Sequence, residues 1–379
     1  MDSEIKLREK IIESLKSQGF LVNGCINPIL GDKARYKELH AYSKNEQVSI
    51  HKNFIKTNID KVASYLPNGE DIDPSAISLE LREVKKDTFE EVLFKWWNLV
   101  WWSIPYQKAY GRQMRFLIWD KYHNAPFGLI GLQSPILKMV VRDQYLKIPK
   151  ETLDYWVNRS LQAQRLGALP PYNQMLGGKL VALALTSNEI RDVYKSKYGN
   201  CTTLLKERKI NSDLLFLTTT SAFGRSSIYN KLNYNEEKVA ISLGYTKGSG
   251  TFHIPEDIYI EIKEFLRFNN IDVSTTFGKG PSRKLKLLDI AFSLLKLKNF
   301  TYHHIPREYF LFPLVSNLSE IIENNSVPLF YERPFDTLVD YWKKRWCIPR
   351  VARNSDWKNF VGNSFMNSLK ESFVHEIWT

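Results

Sequence analysis

The order of strand-like and helical segments between residues 113 and 245 constrains the fold of this chain more than any other feature. Residues 113–119 (QMRFLIW) and 126–133 (PFGLIGLQ) are short apolar runs on either side of the turn-like stretch DKYHNA. They predict a hairpin of two paired strands. Residues 214–220 and 239–245 predict two further strands, because both runs are short and the first is rich in β-branched side chains.

Helical patterns separate these strands. Leu153, Trp156, Val157 and Leu161 have helical spacing and predict a helix over 151–165, which ends before Pro170 and Pro171. The run KLVALALTSNEIRDVYKSKYG predicts a second helix that ends at Gly199, and a third, capped by Thr220 or Ser221, is expected through residue 232. Strands alternating with helices predict a layered α/β domain over residues 91–255.

Helical patterns dominate the two flanking regions. Residues 4–18 form an amphipathic pattern that stops at Gly19, and the loop-like stretch 68–78 follows, so residues 1–90 are expected to be a helical N-terminal region. Helical spacing recurs over 256–269, 284–297, 335–346 and 357–372. We therefore expect residues 256–379 to be a mainly helical C-terminal region.

Several classes of protein are excluded or disfavoured by composition. No segment reaches the roughly 18 consecutive apolar residues that span a bilayer, so no membrane association is expected. The three cysteines are far apart and form no CxxC pair, which favours a reducing, cytoplasmic location. The histidines lack HxxxH or HExxH spacing and no acidic cluster resembles a two-metal site, so we expect no metal and disfavour a nuclease.

Positive charge is concentrated in the middle of the chain. The net charge is +12, and residues 91–280 carry 25 Lys and Arg against 16 Asp and Glu. Residues 1–90 carry 14 against 15. A local basic excess is compatible with contacts to a phosphate backbone, so DNA is the expected partner.

A Gly-Gly pair at a predicted helix start is the first candidate binding site. Gln174, Gly177, Gly178 and Lys179 follow a Pro-bounded turn, and free N–H groups at a helix start favour the phosphate of a nucleotide, a coenzyme or a nucleic acid. The Lys-Ser/Thr ending of a P-loop is missing. Tight helix packing over the two glycines is the alternative.

Two runs interleave aromatic and basic residues, a mixture used to bind single strands by base stacking and charge neutralisation. Residues 94–115 include Arg112 and Arg115, and residues 341–353 include Lys344 and Arg345. Buried tryptophans whose basic neighbours reach the surface are the alternative for both runs.

Two loops supply the remaining candidate basic residues, Arg225 and Lys247. Arg225 lies in the hydroxyl-rich stretch 218–227, which lacks a GxSxG nucleophile motif, so caps and turns explain its Ser and Thr residues more simply. Lys247 lies in the Gly-rich loop 244–255, which is suited to a phosphate backbone or to an ordinary hairpin turn.

The succession of anion-binding turn, helix, strand and Tyr-bearing helix resembles the second half of the Gcn5-related N-acyltransferases. This resemblance implies a mixed sheet with flanking helices. It also implies that Gln174, Gly177 and Gly178 hold the pyrophosphate of coenzyme A and that Tyr229 protonates the leaving thiolate. The turn matches only as Q-x-x-G-G, with the second glycine displaced, and a fold does not fix a function.

A longer resemblance covers roughly residues 90–360. Its blocks are WWSIPYQKAYGRQMRFLIWD, GLIGLQSP, RDQYLKIP, LGALPPYNQMLGGKLVALALTSNEIRDVYKSKYG, TTTSAFGRSSIYNKL, GYTKGSGTFHIPE and YWKKRWCIPRVARN. They resemble the DruA family of the Druantia anti-phage systems, which implies a defence role beside a large helicase-like partner. The resemblance supplies no catalytic residue and leaves enzymatic activity and oligomeric state open.

Three hypotheses follow. The leading one is a defence component that binds DNA, a helicase-like partner, or both. The alternatives are an acyl-CoA-dependent N-acyltransferase and a non-catalytic assembly subunit. Of the three hypotheses, only the acyltransferase needs a cofactor, which is coenzyme A.

Overall fold

The computed structural model describes residues 2–27, 31–203, 207–209, 213–274 and 281–374. Within these ranges, nine strands are β1 Leu79–Glu83, β2 Gln113–Asp120, β3 Ala125–Gln133, β4 Ser160–Ala168, β5 Phe216–Thr220, β6 Asn233–Tyr234, β7 Glu237–Lys238, β8 Ile241–Tyr245 and β9 Glu308–Pro313. The α-helices in the same ranges are α1 Asp2–Ser17, α2 Lys33–Ile50, α3 Lys52–Ala63, α4 Phe89–Val100, α5 Val140–Tyr145, α6 Leu153–Val157, α7 Gly177–Ala184, α8 Asn188–Tyr198, α9 Ser227–Asn230, α10 Glu256–Phe268, α11 Pro281–Leu294, α12 Leu318–Asn324, α13 Phe335–Trp342, α14 Ile348–Val351 and α15 Gly362–Val374.

Seven of the strands form one mixed sheet in the order β1-β2-β3-β4-β5-β9-β8. Strands β4 and β5 are parallel, and every other neighbouring pair is antiparallel. The sheet takes β1 from the region 1–90 and β9 from the region 256–379. The division of the chain at residues 90 and 255 stays a prediction, but the strands of one sheet come from all three parts.

The two faces of the sheet are covered differently. On the first, which we call the α7 face, Leu161 and Phe310 pack in a single apolar cluster with residues of α7 and α13. On the opposite face, which we call the α4 face, there are two separate clusters. One joins β2 and β3 to α3, α4 and α15, and the other joins β5 and β9 to α6 and α12.

A further apolar cluster joins α1, α2, α10 and α11 beside the sheet. The amphipathic helix predicted for residues 4–18 is confirmed as α1. Along the described part of the chain, no helix combines the length and the apolar character that a membrane span requires.

The prediction of a helix over 151–165 is wrong beyond residue 157. Only Leu153–Val157 is helical, and Ser160–Ala168 forms β4 near the centre of the sheet. Leu161 and Ala163 alternate with Ser160 and Gln162, which is the period of a strand. The sheet neighbours on both sides override the local helical spacing.

The cap predicted at Thr220 or Ser221 is also wrong. Thr220 is the last residue of β5, and the Ser221 hydroxyl bonds to the carbonyl of Gly224. The following helix begins later, where the Ser226 side chain accepts a hydrogen bond from the Tyr229 N–H. The predicted hairpin is confirmed, since β2 and β3 pair antiparallel.

Candidate functional site

The predicted anion-binding turn lies where α7 begins. A short 3-10 turn, Tyr172–Met175, precedes the helix, and Leu176 adopts a left-handed conformation with φ of 59°. This left-handed residue turns the chain sharply into α7. Gln174, Gly177, Gly178 and Lys179 therefore surround one helix start, as the sequence predicted.

The second aromatic-basic run lies against this turn. Helix α13 continues into a π-helical turn, Lys343–Cys347, and then into α14. The Trp342 indole N–H donates to the Leu176 carbonyl at 3.1 Å, and Arg350 Nε donates to the Gln174 carbonyl at 3.3 Å. Two segments that were predicted separately therefore form one site.

Between the two segments lies a groove of about 490 Å³, which we call the basic groove. It is lined by Leu176, Arg345, Trp346, Pro349, Ala352 and Arg353. Both arginines are exposed. Across the described part of the chain, neither has a carboxylate within 4.0 Å, so their charges are available to a ligand.

Lys179 extends the positive charge of the basic groove. Its ammonium group donates to the Lys231 carbonyl at 2.7 Å and lies 4.5 Å from the centre of the Trp346 ring. Burial, together with the nearby positive charges of Arg345 and Lys231, lowers the pKa of Lys179 to about 8. The contribution of Arg345 and Lys231 indicates that positive charges lie close together at this helix start.

The two glycines have different surroundings. A Cβ on Gly177 would lie 2.7 Å from the Tyr172 carbonyl oxygen and 2.9 Å from a ring carbon of Phe127. A Cβ on Gly178 would meet only the end of the Ile228 side chain, at 3.2 Å. Tight packing, the alternative considered above, therefore explains Gly177, whereas Gly178 leaves the helix start open.

Five other predicted basic residues lie away from the basic groove or at its edge. Arg112 bonds to the Asn158 carbonyl and to the Tyr194 hydroxyl, and Arg115 forms an ion pair with Glu91 at 2.9 Å. These two side chains are engaged within the protein. Arg225 and Lys247 are exposed, on the loops before α9 and after β8. Lys344 is exposed on the π-helical turn, next to Arg345.

Tyr229, the predicted general acid, lies within the apolar core of the α7 face. Its ring packs edge-on against Phe310 and Phe312, and burial raises the pKa of its hydroxyl. The side chain therefore stays protonated at neutral pH. Its catalytic role stays a prediction.

The first aromatic-basic run is mainly structural. Trp96 and Trp97 are fully buried in the apolar cluster of α4, as the alternative interpretation required. In the second run Trp342 is also buried, whereas Trp346 lines the basic groove. Arg353 also lines it and was not singled out from the sequence. Arg353 follows Arg345 by eight residues, and this spacing alone does not predict that the two side chains line one groove. The π-helical turn at 343–347 has to be known as well.

The fold and the site define a mixed α/β protein with a basic, Trp-containing groove beside its central sheet. A family model described as Druantia protein DruA matches residues 31–324. The Druantia protein DruA of Escherichia coli (strain UMEA 4076-1) is 32% identical over 364 residues, which cover 94% of this chain and 89% of the relative. The chain therefore belongs to the DruA family and is a component of a Druantia anti-phage defence system. No solved structure matches it.

Proposed function

We propose that this chain is the DNA-binding component of its Druantia system and that it holds a DNA strand in the basic groove. One observation carries the proposal. Arg345 and Arg353 line the groove with Trp346, Lys179 lies 4.5 Å from the centre of the Trp346 ring, and none of the described residues that line the groove is acidic.

The chemistry of these groups suits a nucleic-acid strand. Guanidinium groups bind phosphates in a bidentate geometry, and an accessible indole offers a surface for base stacking. The N–H groups at the start of α7 favour an anion as well. Arg225, Lys247 and Lys344 would extend the path of the strand over the neighbouring surface.

A salt series tests this proposal. We expect the affinity for single-stranded DNA to fall steeply with salt, and the Arg345→Ala/Arg353→Ala double variant to reduce the slope of log K against log salt by about 1.4. Arg267→Ala/Lys286→Ala is the matched control, because it removes two exposed charges from α10 and α11. Equal slopes for both double variants would reject the basic groove as the binding site, and salt-independent binding would reject the DNA proposal itself.

Other Druantia proteins, including a helicase-like subunit, are proposed as protein partners in the cytoplasm. The free state of all three cysteines supports a reducing compartment. An exposed apolar stretch around α5, which includes Ile136, Leu137, Val140 and Tyr145, supports protein docking. Val140→Asp should reduce co-purification with the system's other proteins, whereas Arg345→Ala should not. Unchanged co-purification of the Val140→Asp variant would place docking elsewhere.

An acyl-CoA-dependent N-acyltransferase is the second candidate, and the sheet topology favours it. The parallel strands β4 and β5 are joined through α7 and pair only as far as Ala163 and Thr219, although β4 continues to Ala168. Such a crossover with an anion-binding helix start is the arrangement that the acyltransferase resemblance implies. Coenzyme A at millimolar concentration should then raise the melting temperature, and no rise would count against this candidate.

A further inference from the structure

The α4 face carries a polar strip between its two apolar clusters. Strand β4 lies between them, and its alternation directs Gln162 to this face because Leu161 and Ala163 belong to the cluster of the α7 face. A bulge then changes the alternation, since Leu132 pairs with Ala163 but Gly131 pairs with Arg165. Arg165 is thereby turned to the α4 face, where its guanidinium bonds to Asn98 of α4.

Neighbouring strands add to the strip. Thr218 of β5 and Tyr309 of β9 alternate with Leu217 and Phe310, which belong to the cluster of the α7 face. Arg307 precedes β9 and reaches the same side, where it contacts His40 of α2. We call Gln162, Arg165, Thr218, Arg307 and Tyr309 the polar crevice.

Two of these side chains carry a buried polar atom without a hydrogen-bond partner in the described part of the chain, namely Gln162 Oε1 and Arg307 Nε. The Thr218 and Tyr309 hydroxyls interact with each other, and Arg142 of α5 also contacts the Tyr309 hydroxyl. An unmade hydrogen bond at a buried site is costly, and isolated cases are few in native proteins. The unpartnered Arg307 Nε, close to a second buried guanidinium at Arg165, indicates a site prepared for an anionic ligand.

The charge of the polar crevice is uncompensated. Arg307 donates to His40 Nε2 at 2.9 Å, and His40 Nδ1 is 2.7 Å from the Tyr36 carbonyl, which makes His40 a neutral acceptor. Arg165 bonds to Asn98 and to the Pro105 carbonyl, which are also neutral. Among the described residues neither arginine pairs with a carboxylate, and burial lowers the pKa of each to about 10.

We propose that the polar crevice binds a phosphate group, carried by a nucleotide or by the end of a nucleic-acid strand. Two guanidiniums and two hydroxyls approach from β4, β5 and β9, and a tetrahedral anion can accept hydrogen bonds from several directions at once. The site lies on the face of the sheet opposite the basic groove. It is therefore separate from the proposed DNA groove and does not depend on it.

Calorimetric titration of the full chain tests the site with inorganic phosphate, ATP and short single-stranded DNA with and without a 5′-phosphate. Saturable binding of at least one phosphate probe is expected, and Arg307→Met should weaken it at least about tenfold. The Arg267→Ala/Lys286→Ala variant, which removes two exposed charges, is the control and should bind the small phosphate probes like the original chain. A preference for ATP would identify a nucleotide site, and a preference for 5′-phosphorylated DNA would identify a strand-end site.

Isosteric variants separate binding from folding. Thr218→Val and Tyr309→Phe each remove one hydroxyl and keep the shape of the side chain, so the melting temperature of the ligand-free protein should fall by no more than a few degrees. Phosphate binding should nevertheless weaken at least about tenfold. The proposal is overturned if no phosphate probe binds at millimolar concentration, or if these variants and Arg307→Met bind as well as the original chain.

Discussion

The basic groove and the polar crevice both collect positive charge without a carboxylate, yet they do so on opposite faces of the sheet and at different cost. The arginines of the groove are exposed, so water solvates them. Those of the crevice are desolvated, and Arg165 is only 3% exposed. Exposed charge costs little stability, whereas buried unpaired charge costs a great deal. An uncompensated buried charge is therefore the stronger indication of a ligand.

Acid should destabilise the protein through the buried histidines next to the crevice, and this is the largest effect that we expect. Burial lowers the pKa of His40 to about 3, of His253 to about 4 and of His303 to about 2. Histidine in the unfolded chain has a pKa of about 6.5. Below that pH the unfolded chain binds protons that the folded chain does not, so stability falls as the pH falls. The loss at pH 5 is on the order of 2 kcal/mol for each histidine.

Urea unfolding at pH 7 and pH 5 measures this loss. The Arg345→Ala/Arg353→Ala variant should show the same loss, because the exposed groove does not take part in it. Equal midpoints at the two pH values would contradict the buried, neutral state of the histidines and weaken the contrast between the two regions.

The two glycines at the start of α7 test how rigid the wall of the groove is. Gly177→Ala would place a methyl group 2.7 Å from a backbone oxygen, so we expect a loss of about 1–3 kcal/mol in the free energy of unfolding. Gly178→Ala meets only a flexible side-chain end and should change stability by less than about 1 kcal/mol. Thermal unfolding of the Gly177→Ala and Gly178→Ala variants measures the two losses of stability. Similar losses for both variants would show that Gly178 is also packed tightly.

The smallest effect concerns alkaline pH. Lys179, with a pKa lowered to about 8, loses its charge between pH 7 and pH 9, whereas the crevice arginines, with pKa values near 10, keep theirs. DNA affinity should fall about fourfold over this range at 0.15 M salt, which corresponds to one lost phosphate contact. Lys179→Met should abolish the fall. A fall of equal size in that variant would assign the titration to another group.

Much of the fold could be predicted from local pattern. The β2–β3 hairpin is predicted because two short apolar runs flank a turn, and the helices α1 and α10 are predicted because their apolar residues follow the helical period. Strand β9 is not predicted, since residues 309–312 are a continuous apolar run with no turn that joins them to a second run, and periodicity alone cannot assign such a run. The pattern at β4 predicts a helix instead of a strand, because Leu161 continues the helical spacing of α6.

The sequence predicts the two segments of the basic groove separately, and it does not predict the polar crevice. Gln174–Lys179 and Lys344–Arg345 each have a local signal, but tertiary contacts such as that between Trp342 and Leu176 bring them together. The crevice takes single residues from β4, β5 and β9, and no window of sequence contains them. The unpaired charge of Arg307 became visible only when its neighbours were known.

The position of β9 also has a consequence for the synthesis of the protein. Within the large sheet β8 pairs only with β9, and β9 separates it from β5. While the ribosome is still adding residues before 308, β5 presents an unpaired edge and β8 has no place in the sheet. A growing chain therefore carries an unpaired strand edge until residue 313 has left the exit tunnel. During that time the edge can pair with other chains, which makes aggregation during synthesis a risk.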